Sequence, residues 1–305
     1  MASSSFIHLS VRSYFSIKDG AFSPEDLARR AAELGMPAVA LTDRDGLYGA
    51  PRFAAACRHY GVRPIFGATL TVRTMAGDRL VKMLAKDAVG YGSLCRLITY
   101  AQMSGERGDP ALTAGQVCER ADGLICFLGP ESEPGRLAIR GRLDAACDAL
   151  RPYKEAFGSP DRGDYSRNLF VEVRNHLEPD STSQVRQMVK LSDHSGIPAV
   201  ATNGVRYLVR EDAFLADVLE CMREIVPLAE HHVSRRNGEG YLKPAEDMRA
   251  LFAENPDLCD RTVEIAGRCE FDLRVGELHF PDFPTPRGRS AGSVLAERCW
   301  RGMAD

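Results

Sequence analysis

Ser10 and Arg12 stand two residues apart in the string HLSVRSYFSIKDG, residues 8–20. That spacing puts both side chains on one face of a β-strand. Two imidazoles so placed can hold one metal ion between them. A serine hydroxyl is a poor ligand for a transition metal, and a guanidinium brings a fixed positive charge and no lone pair. The pair therefore offers charge in place of coordination, and Asp19, just before Gly20, adds a carboxylate to the same string.

The other residues able to do chemistry read more plainly. His8 lies two residues ahead of the pair and reads as a packed histidine. His231 and His232 are adjacent, so they point apart on a helix and to opposite faces of a strand; they read as solvated. Glu211-Asp212 reads as the acidic first turn of a helix. Cys126 sits inside an apolar run and reads as a small core residue. Arg287 and Arg289 form a small basic pair in a linker. No Gly-rich phosphate loop of the dinucleotide or P-loop pattern occurs.

These residues need a framework. The chain has 305 residues, 44% hydrophobic and 27% charged, as an ordinary globular α/β protein has. A net charge of −3 advertises no polyanion partner, so a nucleic-acid contact must come from a local patch. Nine scattered cysteines without a C-x-x-C pair argue against a zinc ribbon and a disulfide framework, and fit a reducing cytoplasm. No secretory signal is visible, and no stretch reaches the roughly 18 apolar residues that span a bilayer.

Short apolar runs alternate with capped helices. Ser23-Pro24-Glu25-Asp26 reads as an N-cap, a first-turn proline and two acids at a helix dipole. Strands are predicted near 38–41, 64–66, 80–85, 123–128, 169–173 and 198–202, with helices near 51–60, 91–103, 113–120 and 181–195 between them. Strands separated by helices predict parallel pairing, and six or more such units a closed or distorted β/α barrel. Function then sits at the C-terminal ends of the strands. Beyond 208 the pattern turns helical (211–223, 244–252, 256–269), and residues 279–293, rich in Pro, Gly and Ser, read as a linker. Residues 294–305 read as the opening of another helix.

Five segments, in order, resemble the N-terminal PHP (polymerase and histidinol phosphatase) domain of bacterial DNA polymerase III alpha subunits. They are HLSVRSYFSIKDGA; ALTDRDGLYGAPRF with GVRPIFGATL; VKMLAKDAVGYGSLCRLI; DGLICFLG with LFVEVRNH; and IPAVATNGVRYL with YLKPAEDMRALF. The resemblance implies a distorted (β/α)7-type PHP barrel with C-terminal helices over residues 1–275. It implies a linker and the start of a palm-side segment over 276–305. Members with an intact site bind a metal cluster at the strand ends and hydrolyse phosphodiesters, some as proofreading 3′–5′ exonucleases.

Position by position, the resemblance implies a lost site. The His-x-His pair is Ser10 and Arg12, and the acid before the glycine remains as Asp19. Further ligand positions carry Arg44, Thr69, Leu80 and Pro130. His176 stands where the family has a ligand, and the last two positions are Gly204 and Arg206. Three substitutes are arginines, expected to close the pocket by pairing with Asp19, Asp43 or Glu172.

The expected role is a non-catalytic region of a DNA polymerase III alpha-type polymerase, bracing the polymerase domains. No cofactor is expected in this region; Mg belongs to the palm domain further along. The implied partners are the rest of the polymerase chain, a proofreading exonuclease subunit, other replisome proteins, and DNA through the full-length enzyme; no membrane is implied. Two rival readings are a metal-dependent phosphoesterase or 3′–5′ exonuclease using other ligands, and a free-standing non-catalytic binding protein.

Overall fold

The computed structural model describes residues 5–104, 108–158, 168–228, 237–276 and 283–303. The chain divides into two units, Met1–Leu273 and Arg274–Asp305. The first is built on one six-stranded sheet in sequence order: β1 (Ala38–Arg44), β2 (Arg63–Thr74), β3 (Gly77–Ala85), β4 (Leu124–Leu128), β5 (Leu169–Arg174) and β6 (Ala199–Thr202). Around it run α1 (Pro24–Glu33), α2 (Ala50–Tyr60), α3 (Ala88–Ser104), α4 (Ala114–Cys118), α5 (Glu133–Ile139), α6 (Leu143–Phe157) and α7 (Ser181–Ser195). They are followed by α8 (Ala213–Glu224), α9 (Ala245–Leu251) and α10 (Asp257–Gly267). In the second unit, α11 (Ala291–Gly302) begins at Ser290, whose hydroxyl accepts from the Ser293 N–H.

Pairing is parallel for β1/β2, β4/β5 and β5/β6. The expectation of parallel strands throughout fails at β3, which runs antiparallel to both neighbours. The cause is local. The second strand continues to Thr74, and Met75-Ala76 with Gly77 at φ +99° turn it straight into β3 with no helix between.

Residues 6–12 fill the gap between β1 and the chain after β6. On one side Ala40 N–H donates to His8 O (2.9 Å) and Thr42 N–H to Val11 O (2.7 Å). On the other, Val205 N–H donates to Ser10 O and Arg12 N–H to Val205 O, both at 2.9 Å. The six strands and this segment form a distorted β/α barrel.

The period-two rule sorts its side chains. Outward residues such as Leu70, Met83, Cys126, Val171 and Ala201 pack against the surrounding helices. Inward residues form an apolar floor of Ala38, Ala40, Ile65, Leu84, Ile125, Phe127, Phe170 and Val200, which Ile265 and Ala266 of α10 join. Burying each large floor residue stabilises the fold by about 1.5–3 kcal/mol.

Candidate functional site

Above the apolar floor the inward positions turn polar. In β5, Phe170 is followed two residues on by Glu172 and then Arg174; in β6, Val200 is followed by Thr202 and then, beyond the strand, Gly204. Glu172 is buried and accepts from Lys82 Nζ and Thr202 Oγ1, each at 2.5 Å. Burial favours the neutral acid, but the Lys82 ammonium and then Arg174 outweigh it and hold the Glu172 pKa below its ordinary value.

The next layer is an arginine–carboxylate network. Arg12 Nη1 donates to Asp19 Oδ2 at 2.8 Å and Arg12 Nη2 to Glu131 Oε2 at 3.0 Å. Arg206 grips the other Asp19 oxygen through Nε at 2.6 Å and Nη2 at 2.5 Å. Arg174 Nη1 stands 3.7 Å from Glu131. Burial alone would raise the Asp19 pKa, yet Arg12 and Arg206 hold it down to about 2. Glu131 is partly exposed, and Arg12 and then Arg174 hold it far below the usual carboxylate range. Burial disfavours the Arg12 charge, and Glu131 and Asp19 more than restore it. A tight turn returns Asp19 to Arg12: Ser16 O accepts from the Asp19 and Gly20 N–H groups, with Lys18 at φ 59°.

Two of the pairings expected of the arginines are replaced. Asp43 takes no arginine; it accepts from Ser13 N (2.7 Å), Ser13 Oγ (2.9 Å) and Ser16 Oγ (2.7 Å), which pin the loop to the end of β1. Glu172 takes Lys82, because β3 approaches it directly inside the barrel. Arg44 stays out of the network: it is half-exposed, 3.4 Å from Asp45, with weak contacts to Thr71 Oγ1 at 3.3 and 3.4 Å. Arg44 shares the inward parity of Ala38 and Ala40 but is the last residue of β1, so its side chain reaches the rim and not the centre.

The remaining positions are inert. Thr69 Oγ1 donates to Thr42 O (2.9 Å). Ser10 is buried, its hydroxyl without a partner among the described residues. His176 donates from Nε2 to Asn203 O (2.7 Å), and burial, then Arg174, push its pKa down to about 3, so it is neutral at neutral pH. Gly204 has φ +55°, and a side chain there would put Cβ 2.8 Å from Arg174 Nη1: the arginine occupies space that a ligand side chain would need. Lys82, Glu131 and Arg174 were absent from the sequence-derived set. Arg174 follows Glu172 at inward spacing, which was a usable signal.

Among the other sequence candidates, His8 is buried, donates from Nε2 to Lys243 O (2.9 Å) and lies edge-on to Phe6. Cys126 is a buried strand residue whose thiol pKa burial raises. Glu211 and Asp212 lie in a 3-10 turn leading into α8. His231 and His232 lie outside the described residues.

Arg12, Asp19, Arg44, Glu131, Arg174 and Arg206 line a cavity of about 640 Å³ at the strand ends, which Leu80, Pro130, His176 and Gly204 also reach. Among the described residues no group of three His, Cys, Asp or Glu could hold a metal ion. Arg12 and Arg206 instead saturate the one retained acid. The donor set does not fit the metal cluster that the fold implies, and no hydrolytic step follows from it.

The fold and the strand-end cavity define the class. The PHP domain profile matches residues 8–176, and the chain belongs to the PHP domain family. The error-prone DNA polymerase of Symbiobacterium thermophilum is 34% identical over 318 residues, covering 98% of this chain and 28% of that protein. The DNA polymerase III alpha subunits of Pseudomonas aeruginosa and Escherichia coli K12 are each 32% identical. They cover 99% and 100% of this chain and 26% of each relative. The chain thus spans about a quarter of the length of these curated relatives. Among solved structures, an amidohydrolase from Chromobacterium violaceum superposes with a TM-score of 0.45 at 16% identity, over 65% of this chain and 86% of that one. No helix among the described residues is long and apolar enough to cross a membrane, and all nine cysteines are free thiols.

Proposed function

We propose that this chain is the PHP region of a DNA polymerase III alpha-type polymerase and that it serves there as a non-catalytic, metal-free brace in the cytoplasm. The observation that carries the reading is the Arg12–Asp19–Arg206 cluster: two positions that would hold metal ligands carry guanidiniums, and both bind the retained acid. Similarity to an error-prone DNA polymerase and to alpha subunits over 98–100% of the chain supports the polymerase assignment. In this role fixed charge replaces metal charge, and the barrel end stays folded without an ion. The rest of the polymerase, a proofreading exonuclease subunit and other replisome proteins are the partners this reading supplies, with DNA reached through the whole enzyme.

The test is elemental analysis of the native chain together with hydrolysis of bis(p-nitrophenyl) phosphate in added Zn, Mn or Mg. The expected result is no stoichiometric metal and no hydrolysis. Bound metal with turnover would establish the phosphoesterase reading instead. Deleting the region from the full-length polymerase should lower its stability or its partner binding; no change in either would end the bracing role.

A further inference from the structure

We propose that Asn237-Gly238 is a self-modifying site, at which the Gly238 backbone nitrogen attacks the Asn237 side-chain amide and converts it to an aspartyl or isoaspartyl residue. The chain holds two Asn-Gly pairs, Asn203-Gly204 and Asn237-Gly238. In any such pair the glycine lacks the Cβ that would shield its nitrogen, and its backbone freedom lets that nitrogen reach the preceding side-chain carbon. The fold sets the two pairs apart.

Asn203 is fully buried. Its Nδ2 donates to Glu239 O at 2.8 Å and to Tyr241 O at 2.7 Å, and its Oδ1 has no donor among the described residues. Gly204 packs against Arg174, and the next N–H, that of Val205, is bound to Ser10 O. The amide is clamped, charge building on its oxygen would meet no donor, and burial excludes water. Asn237 is only half-buried and lines the cavity mouth. Its Oδ1 accepts from the Glu239 N–H at 3.1 Å, so a donor already stands where negative charge develops as the nitrogen adds. The Gly238 N–H makes no hydrogen bond among the described residues.

The step balances with water as the co-reactant. The Gly238 N–H gives its proton to hydroxide, the N–Cγ bond forms, and the tetrahedral intermediate expels Nδ2, which takes a proton from water and leaves as ammonia. A water molecule then opens the cyclic imide at either carbonyl. No electrons change hands. The consequence is mechanical. Asn237 Nδ2 donates to His176 O at 2.5 Å and ties its segment to the chain leaving β5. A carboxylate at that position has no hydrogen to donate and sets acceptor against acceptor. An isoaspartyl linkage also adds a main-chain carbon just before Gly240 and Leu242, which bond to Arg206 and Tyr207. The tie is released once and not remade.

Peptide mass mapping of the whole native chain, held over days at physiological temperature and at neutral or mildly alkaline pH, tests this. Asn237 should convert in the folded chain, faster at the higher pH because the attacking nitrogen must lose a proton. Asn203 should convert about a hundredfold more slowly, the effect of one missing donor to the oxyanion. In urea the two should convert alike. Gly238→Ala, whose Cβ would meet the stem of exposed Arg210 at 3.1 Å and Ala213 Cβ at 3.4 Å, should fold. It should slow conversion at Asn237 by about tenfold. No conversion at Asn237 in the folded chain, equal rates at the two asparagines before unfolding, or a Gly238→Ala rate equal to the parent's overturns the proposal. Asn237→Asp should speed hydrogen exchange at the Arg206 and Leu242 amides; unchanged exchange overturns the release of the tie.

Discussion

Arg12 holds two carboxylates at once, and its removal leaves buried Asp19 with Arg206 alone and partly exposed Glu131 without its 3.0 Å contact. Breaking such a pair from one side costs about 3 kcal/mol, so Arg12→Met should lower the unfolding free energy by that amount in a urea titration. Arg12→His should take up no stoichiometric metal, because Arg206 still saturates Asp19; tight binding by that single variant would refute the replacement of metal charge by fixed charge. Acid sensitivity belongs to this scale too. His8 and His176 have folded pKa values lowered to about 4 and about 3 from an ordinary 6.5, so the unfolded chain binds more protons. Their contribution to stability is complete above pH 6.5 and is lost as pH falls towards those folded values. Each should contribute a slope of about 1.4 kcal/mol per pH unit between roughly pH 6 and 5. The same titrations on His8→Asn should show one proton fewer taken up on unfolding. Asp19 adds a further loss from its ordinary 3.8 down to about 2. At this scale the sequence revealed Ser10, Arg12, Asp19 and Arg206 because they share two short strings. Glu131 and Lys82 stayed hidden because only the barrel brings residues 12, 82, 131 and 172 together.

Helix α5 carries Arg136, and its C-cap Arg140, to the cavity mouth, and a glycine sets its seat. A Cβ on Gly135 would lie 2.0 Å from Gly129 O, on the backbone that leaves β4. Gly135→Ala therefore forces the helix away from the strand, and overpacking of this kind costs about 2 kcal/mol. Thermal unfolding should show that loss, and Arg136 and Arg140 should become more readily modified by a guanidine reagent if the helix shifts outward. Most elements were legible because each apolar run is short and several helices open on a hydroxyl cap, as at Ser23, whose hydroxyl accepts from the Asp26 N–H (3.0 Å). The β2–β3 hairpin was not. Its turn is only two residues long, and the polar stretch before Leu80 resembled a connection when it is the continuing pair Val72–Arg79 and Arg73–Asp78.

Across the molecule, the barrel exists only because residues 6–12 complete it. Val205 donates its N–H to Ser10 O across that seam, so Val205→Pro removes a bond and adds a steric clash, at about 3 kcal/mol or more. The expected outcome is protease cleavage within residues 5–20 of the variant under conditions where the parent resists it. The strand-end location of the site followed from the fold class. The seam did not, because nothing local in residues 6–12 says that their neighbours lie at both extremes of the sheet.

That seam also sets a clock on biosynthesis. His8 meets Lys243, 235 residues later in the chain, and at about 5–20 residues per second a ribosome needs roughly 12 to 47 s to supply it. Until Val205 emerges, the nascent sheet has two unfinished margins, residues 6–12 on one side and the latest strand on the other. The growing polypeptide is thus a natural client for whatever cellular factor shields exposed strand edges during translation.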